Sequence, residues 1–495
     1  MEPQSETKVV PGKVGKSPMD SVAEFSGLAS DSREVKPGYL FAALSGTRAN
    51  GAAFMSDAVK RGAVAVLARP EARSDAEKLG VRFIADENPR LRLARLAAKF
   101  FAVQPKTVAA VTGTNGKTSV SVFLRQIWTA LGYTSASMGT IGVVTPKGEI
   151  ALAHTTPDPI EVHRILKKLA LDGVDHLALE ASSHGLDQYR LDGVEIAAAA
   201  FTNLTRDHLD YHKDFEAYLA AKLRLFSEVV RPGGIAVVNA DEENAAAFVA
   251  AAKARDLKVV TVGVRGETLK LISRTPTANG QVLQIAFGGE IFDVALPLAG
   301  DFQASNALVA AGLAIGLGDP AEKVFGALAL LKGAAGRLEK VAYAKSGAAI
   351  YVDYAHTPDA LETVLKAIRP HVSNKLHVVF GCGGDRDKGK RPLMGKAAVT
   401  FADDVIVTDD NPRSEDPATI RREVLEAAPG AREIGDRAKA IHDAILSLNT
   451  GDILVVAGKG HEAGQIIGAE IRPFLDKDEA IKAAVALGGH AAEAA

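Results

Sequence analysis

The sequence predicts an α/β protein of three domains, and three observations carry that prediction. The chain has 495 residues, whereas a single hydrophobic core stops growing near ~250–300 residues. In the middle and last thirds, continuous apolar runs of strand length alternate with helix-length segments, the pattern of a parallel sheet buried on both faces. One of those runs passes through a glycine-rich turn into a helix, the setting of a phosphate-binding loop. The expected arrangement is a small mixed α/β N-terminal domain over 1–104, a central P-loop parallel-sheet domain over 105–334 and a C-terminal Rossmann-like domain over 335–495.

Taken in order, the first twenty residues are polar and expected to be disordered. Pro37-Gly38 makes a turn before the strand YLFAAL, and AVAVLA (63–68) and VRFIA (81–85) read as further strands. LRLARLAAKFFA (91–102) has the apolar spacing of a helix. Gln104-Pro105 is a boundary, because a residue before proline resists helix. The middle third opens with TVAAVTG, the glycine turn and the helix SVSVFLRQIWTALG. HLALEAS (176–182), AAAAFTN (197–203) and GIAVVNA (234–240) are the next strands. IEVHRILKKLALDG and DFEAYLAAKLRLFSEVV are helices between them, and SNALVAAGLAIGLG and AEKVFGALALLKG are the closing pair. In the last third AAIYVDY, LHVVFGC, DDVIVTD and DILVVAG are four strands of a second open sheet, ahead of an Ala-rich tail.

Composition narrows the function classes. Hydrophobic residues make up 47% and charged residues 24%, which fits a globular chain. A net charge of -2 gives no large field, so neither nucleic acid nor a membrane surface is an expected partner. An anionic ligand must therefore be held by local groups. The single cysteine, Cys382, excludes an intramolecular disulfide and a cysteine-rich zinc site. The N-terminus has no signal-like apolar run, and no stretch approaches the ~18 apolar residues needed to cross a bilayer. The expectation is a cytoplasmic monomer with no membrane insertion.

The sharpest local signal is Gly113-Thr114-Asn115-Gly116-Lys117-Thr118. Glycines let the backbone curl so that N–H groups face an anion, and the following helix N-terminus adds partial positive charge. Lys117 is placed to reach β/γ-phosphates and the Thr118 hydroxyl to ligate Mg²⁺. Only two residues separate the glycines, where the general pattern has four. The alternative is a glycine-rich turn with a chance Lys-Thr, and the agreement of strand, loop and helix speaks against it.

The short loop GTNGKT resembles that of the Mur ligase and folylpolyglutamate synthetase superfamily. The likeness extends over nearly the whole chain. DSREVKPGYLFAALSG resembles the uridine-binding domain of ligases that add the third amino acid of a peptide. EASSHG (180–185) and TNLTRDHLD (202–210) resemble central-domain motifs, and GRLE (336–339) and DYAHTP (353–358) resemble nucleotide contacts. GGDRD (383–387), DNPR (410–413) and GKGHE (458–462) complete the set. One departure is Asn50, in GTRANGAAF, where the family has an acidic or basic residue.

The resemblance implies a Mur ligase. ATP would phosphorylate a substrate carboxylate, and an amine would then displace phosphate. The implied substrates are ATP, UDP-N-acetylmuramoyl-L-alanyl-D-glutamate and meso-2,6-diaminopimelate, with Mg²⁺ as cofactor. Thr118, Glu180, His208 and Lys222 are the implied metal-holding and catalytic groups, with Lys117. Glu180 and His208 follow apolar strands, where ligands gather in open α/β sheets. Taken alone, each reads as a helix cap or a hydrogen-bonded loop residue. Lys222 falls on an apolar helix face, four residues from both Tyr218 and Phe226. Such a lysine either snorkels to water or is partly desolvated and easier to deprotonate. The resemblance implies a carbamylated Lys222.

Ser30, Thr155, Thr156, Ser182, Gln188 and Arg190 match positions that bind the UDP-sugar peptide in the family. Thr155-Thr156-Pro157-Asp158 also reads as a plain helix entry. Asn306, Arg337, Asp353 and His356 match adenine and ribose contacts, although Asn306 also suits helix-start capping. Asp410, Asn411, Pro412 and Arg413, with Arg391, Gly458 and Glu462, match the amino-acid site. Diaminopimelate carries a distal carboxylate that lysine lacks, and Arg413 is able to take it with two parallel hydrogen bonds. Glu462 suits the distal ammonium. Read alone, Asn-Pro-Arg is a surface turn.

Overall fold

The computed structural model describes residues 22, 24–46, 50–205, 207, 211–277 and 280–492. The polar N-terminal stretch, Thr47–Ala49 of the GTRANGAAF loop and the end of the Ala-rich tail lie outside the described residues. The chain divides into two compact units. One gathers the described residues up to Gln104 with Asp158–Lys168 and Gln188–Val194. The other gathers Pro105–Pro157, Leu169–Asp187 and Glu195 onward.

The first unit is built on a four-stranded parallel sheet, β1 (Gly27–Ala29), β2 (Tyr39–Ala42), β3 (Ala65–Ala68) and β4 (Arg82–Ala85), in sequence order. Both faces are covered: Leu40, Leu67 and Leu93 lie in one cluster and Phe41, Val66 and Ala58 in another. The helix Pro89–Phe101 starts two residues earlier than its apolar spacing indicates. Asn88 accepts from the Leu91 N–H at 3.1 Å and Pro89 sits at the first helical position, so cap and proline set the start.

In the second unit the central sheet has eleven strands. They are β5 (Thr107–Thr112), β6 (Ser135–Gly139), β7 (Gly142–Thr145), β8 (Gly148–Ile150), β9 (His176–Glu180), β10 (Ala198–Phe201), β11 (Ile235–Asn239), β12 (Lys258–Gly263), β13 (Leu269–Thr277), β14 (Gly280–Phe287) and β15 (Glu290–Leu296). Their order is β15-β14-β13-β12-β11-β10-β5-β9-β6-β7-β8. The middle is parallel, as the apolar runs require. Antiparallel meanders extend it at both sides, β7–β8 and β14–β15. β13 and β15 alternate exposed with more covered positions, so they carry no continuous apolar run to reveal them. The helices Lys117–Ala130 and Asp301–Gly316 bury Phe123, Ile127, Trp128 and Leu308 in one core with these strands.

A seven-stranded sheet follows, ordered β20-β19-β18-β21-β17-β16-β24. Its strands are β16 (Glu339–Tyr343), β17 (Ala349–Asp353), β18 (Leu376–Phe380), β19 (Asp404–Val407), β20 (Arg432–Glu433), β21 (Ile453–Ala457) and β24 (His490–Ala491). β22 (Gly464–Ile467) and β23 (Glu470–Pro473) form a separate hairpin.

Register brings the functional loops level. Glu180 lies opposite Val111, and Phe201 lies opposite Thr112. The segments leaving β5, β9 and β10 therefore emerge together at one sheet edge. The segment 214–230, expected as one helix, is an α-helix Phe215–Arg224 followed by a π-turn Leu225–Val229. Pro232, just beyond, bars the chain from continuing as helix.

Candidate active site

The phosphate loop folds as its glycines require. Gly113 has φ 149° and Gly116 φ 86°, conformations that side chains disfavour. A Cβ at Gly113 would stand 1.9 Å from the Thr202 hydroxyl, and one at Gly116 would stand 2.3 Å from Asn306 Oδ1. Asn306 thus closes on the loop itself. The loop is tied to the segment after β10. The Asn115 N–H donates to Asn203 Oδ1 at 2.9 Å, and the Thr202 hydroxyl donates to the Asn115 carbonyl at 2.6 Å. The Thr114 hydroxyl accepts from the Thr205 N–H at 3.0 Å and lies 3.1 Å from the Tyr218 hydroxyl.

Lys117 donates to the carbonyls of Gly113 and Thr114, at 2.9 and 2.7 Å. Burial lowers its pKa, with Glu180 opposing and Arg337 assisting. Lys222 is 1% exposed, and its Nζ donates to the Gly113 carbonyl at 2.7 Å. The ammonium also stands 4.4 Å from the centre of the Tyr218 ring. It does not snorkel. Burial holds its pKa well below the ordinary lysine value, and the charge of Lys117 pushes in the same direction.

Glu180 is buried at the end of β9. The Thr118 hydroxyl donates to its Oε2 at 3.1 Å, and Thr140 donates twice, N–H to Oε1 at 2.8 Å and hydroxyl to Oε2 at 3.0 Å. A Cβ at Gly139 would stand 2.0 Å from Glu180 Oε1, so only glycine leaves the carboxylate this room. Thr155 meets the Thr140 hydroxyl at 3.1 Å. Thr156 donates to the Glu180 carbonyl at 2.9 Å, and the Ser182 hydroxyl accepts from the Gly185 N–H at 3.0 Å. His208 lies outside the described residues. Among the described residues no group of three or more His, Cys, Asp or Glu is arranged to hold a metal ion. Thr118 and Glu180 nonetheless present a hydroxyl and a carboxylate side by side, oxygen donors of the kind a hard cation takes.

At the junction of the two sheets, buried Asp353 accepts from the Leu338 N–H at 2.6 Å and the Ala355 N–H at 2.7 Å. Burial still raises its pKa. The Arg337 guanidinium stacks 4.6 Å above the Tyr354 ring, and its carbonyl accepts from Gln303 at 3.0 Å. His356 Nδ1 faces the Tyr354 carbonyl at 2.9 Å. Arg337, Asp353 and His356 are therefore one cluster.

The amino-acid residues gather at the C-terminal edge of the second sheet. Arg413 has φ 52°, and its guanidinium donates to the Gly384 carbonyl at 2.7 Å and the Asn411 carbonyl at 3.4 Å. No carboxylate pairs with it among the described residues. Its main chain is bound to β22, N–H to the Ile466 carbonyl at 3.0 Å. Asn411 donates to Glu462 at 2.9 Å, and the Asp410 carboxylate lies 2.9 Å from where a Cβ at Gly458 would be. Pro412 is buried. Arg391 differs from the rest. It is fully buried and bonds Glu415, Glu423 and the Gly383 carbonyl at 2.6–3.3 Å, so here it braces the loop from beneath.

In the first unit, Ser30, Gln188 and Arg190 line one cleft of about 190 Å³ with Leu44, Arg90, Asp158 and Pro159. Arg190 donates to Gln188 Oε1 at 2.8 Å, and burial raises the Asp158 pKa. Asn50, the departure in the sequence, caps the short 3-10 helix Gly51–Phe54 by accepting from the Ala52 N–H at 3.2 Å.

Comparison with known proteins gives three family matches in chain order. Residues 24–101 match the Mur ligase family catalytic domain, 111–314 the Mur ligase middle domain and 336–460 the Mur ligase glutamate ligase domain. A Bradyrhizobium diazoefficiens protein named UDP-N-acetylmuramoyl-L-alanyl-D-glutamate--2,6-diaminopimelate ligase is 55% identical over 95% of this chain and 96% of its own. The protein of the same name from Mesorhizobium japonicum is 54% identical over 92% and 94%. The chain belongs to the Mur ligase family.

Solved Mur ligases agree with that. A UDP-N-acetylmuramoyl-L-alanyl-D-glutamate--2,6-diaminopimelate ligase is 36% identical with a TM-score of 0.72, over 93% of this chain and 95% of that one. A MurF ligase from Thermotoga maritima in complex with ADP, 19% identical with a TM-score of 0.60 over 94% and 98%, shares the fold. Sequence reasoning did not single out Thr140, Tyr218 or Arg90. Tyr218 was seen only as apolar, and Thr140 lies outside any motif. Their signal is spatial: each bonds or lines the site of residues distant in sequence.

Proposed function

We propose that this Mur ligase joins meso-2,6-diaminopimelate to UDP-N-acetylmuramoyl-L-alanyl-D-glutamate at the expense of ATP, as a step of cytoplasmic peptidoglycan precursor synthesis. The observation that carries the reading is the 55% identity, over nearly the full length of both chains, to a ligase of that name. The three-domain division at 104/105 and 334/335 belongs to the proposal.

The turn Gly113–Thr118 would hold the triphosphate through the N–H groups of Gly116, Lys117 and Thr118 and the Lys117 ammonium, since those of Thr114 and Asn115 are bonded to Asn203, and Asn306, Arg337, Asp353 and His356 would hold the nucleoside. A substrate carboxylate oxygen attacks the γ-phosphorus and ADP departs. The substrate amine then attacks the acyl carbon, a C–N bond forms, the C–O bond to phosphate breaks, and the amine loses a proton. Thr118 and Glu180 would hold Mg²⁺ with His208 and a carbamylated Lys222. When bound, Mg²⁺ supplies positive charge against the oxygens that become crowded. Lys222 supports the carbamate reading by its depressed pKa, since only a neutral amine adds to CO₂. A carbamate resonance in ¹³C-bicarbonate, lost in Lys222→Met, is the expected result.

Ser30, Thr155, Thr156, Ser182, Gln188 and Arg190 are proposed for the UDP-sugar peptide. Arg391, Asp410, Asn411, Pro412, Arg413, Gly458 and Glu462 are proposed for the amino acid. Arg413 supports this role because its half-buried guanidinium hydrogen-bonds to carbonyls, while the nearby exposed Asp385 carboxylate is bonded to Ser414. Lysine would leave it without a carboxylate, and such a loss discriminates strongly. The test is ATP-dependent phosphate release with the muramoyl dipeptide and a panel of amino acids. Release with diaminopimelate and not with lysine or D-Ala-D-Ala is expected. Equal release with lysine would remove the specificity claim.

A further inference from the structure

Lys459 has no exposed surface, although it lies in the loop after β21 that leads to Glu462. Gly458, with φ 114°, and Gly460, with φ 53°, flank it. A Cβ at Gly460 would stand 2.8 Å from Tyr354 Cβ and 2.9 Å from the Gly336 carbonyl, so the turn is pressed against neighbouring chain. The lysine side chain is thereby sent inward beneath the amino-acid site.

Its Nζ meets three acceptors. These are the Gly464 carbonyl at 2.7 Å, Asn411 Oδ1 at 3.0 Å and Glu462 Oε2 at 3.3 Å. They match the donors of one ammonium, which is what allows a charge to sit there. The two side chains it touches also touch each other: Asn411 Nδ2 donates to Glu462 Oε2 at 2.9 Å. Asn411 Oδ1 accepts a second bond, from the Ile466 N–H at 2.9 Å. The Asn411 amide is thus locked in one orientation. The Glu462 carboxylate, 36% exposed, stays accessible to a cation while one oxygen is held from below.

We propose that Lys459 is a positioning residue that sets specificity for the distal ammonium of the amino-acid substrate. It acts through Asn411 and Glu462, and the inference rests on the reading that these two hold diaminopimelate. Without the buried charge, Glu462 keeps only neutral donors, the Asn411 amide and the Tyr354 hydroxyl, and its carboxylate is held less firmly. The group that should suffer is the substrate's distal ammonium, not its distal carboxylate and not ATP.

The experiment compares diaminopimelate with 2-aminopimelate, which lacks the distal amine, in wild-type enzyme and in Lys459→Met and Lys459→Gln. In Lys459→Met the KM for diaminopimelate rises about 10-fold or more. The kcat/KM preference for diaminopimelate over 2-aminopimelate shrinks by the same factor, and the KM for ATP stays within about 2-fold. Lys459→Gln, which keeps a donor without the charge, gives a smaller loss of preference. An equal decline with both amino acids, or an unchanged preference in a folded variant, overturns the proposal. If neither variant keeps ATP-dependent turnover, Lys459 is a strut of the loop and the proposal falls. A wild-type enzyme that shows no preference between the two amino acids would instead sink the assignment of Glu462.

Discussion

The carboxylate of Glu180 takes bonds from the Thr118 hydroxyl and from both donors of Thr140, and the Thr140 hydroxyl also meets Thr155. One threonine therefore joins a residue proposed for the metal to one proposed for the acceptor substrate. Thr140→Val keeps the N–H bond and removes the hydroxyl. A hydrogen bond to a charged group contributes ~1.5–3 kcal/mol, so kcat should fall about 10- to 100-fold. Steady-state kinetics on the folded variant check this, with the melting temperature read beside them to account for lost stability, and undiminished kcat would remove Thr140 from the site. At this scale the sequence was informative where chemistry lies in a contiguous motif. GTNGKT, DNPR and GKGHE each place their residues at one sheet edge. It was silent on Thr140, because a threonine in SMGTIG has no pattern until β6 is laid beside β9. Arg391 was legible as a residue of the region but not as one whose guanidinium is occupied by Glu415 and Glu423.

Four central parallel strands were legible as elements because burial on both faces makes them uniformly apolar, whereas the parallel β6 and β12 were not, since Ser135, Ser137, Lys258 and Thr261 interrupt their apolar runs. β5, β9, β10 and β11 each lie inside an expected run. The antiparallel extensions were not, since a sheet with one wet face alternates polar and apolar residues and weakens the run. Tertiary contact also places ions that no local pattern displays. Arg437 and Asp476 are both fully buried and pair through two bonds of 2.7 Å, while Arg437 also donates to the Ala457 carbonyl at 2.9 Å. This pair anchors the end of β21, from which the Gly458–Glu462 segment departs. Asp476→Ala leaves the guanidinium buried without its partner and should destabilise the protein by ~3–5 kcal/mol. Chemical denaturation followed through this domain measures the loss. A change below ~1 kcal/mol would show the guanidinium repaired by water.

Across the whole molecule, three sheets each carry their proposed ligands at strand ends, and among the described residues no helix is long and apolar enough to cross a membrane. Stability should carry a pH signature from His163. Its ring is 4% exposed and its Nε2 has no hydrogen-bond partner. Burial lowers its pKa from 6.5 to about 4, against the Asp192 backbone bond that raises it. Between those values the unfolded chain binds a proton that the folded chain refuses, so the contribution is complete above pH 6.5 and declines as pH falls toward 4. The full difference is on the order of 3 kcal/mol. His163→Leu should flatten the acid limb of the stability curve by that amount, and parallel curves for the two proteins would count against it. The account as a whole depends on a substrate carboxylate becoming phosphorylated beside the glycine turn. Dipeptide substrate labelled with ¹⁸O in its reacting carboxylate tests that step most directly. One labelled oxygen in each released phosphate is the predicted result, and unlabelled phosphate from a turnover that forms the amide would contradict it.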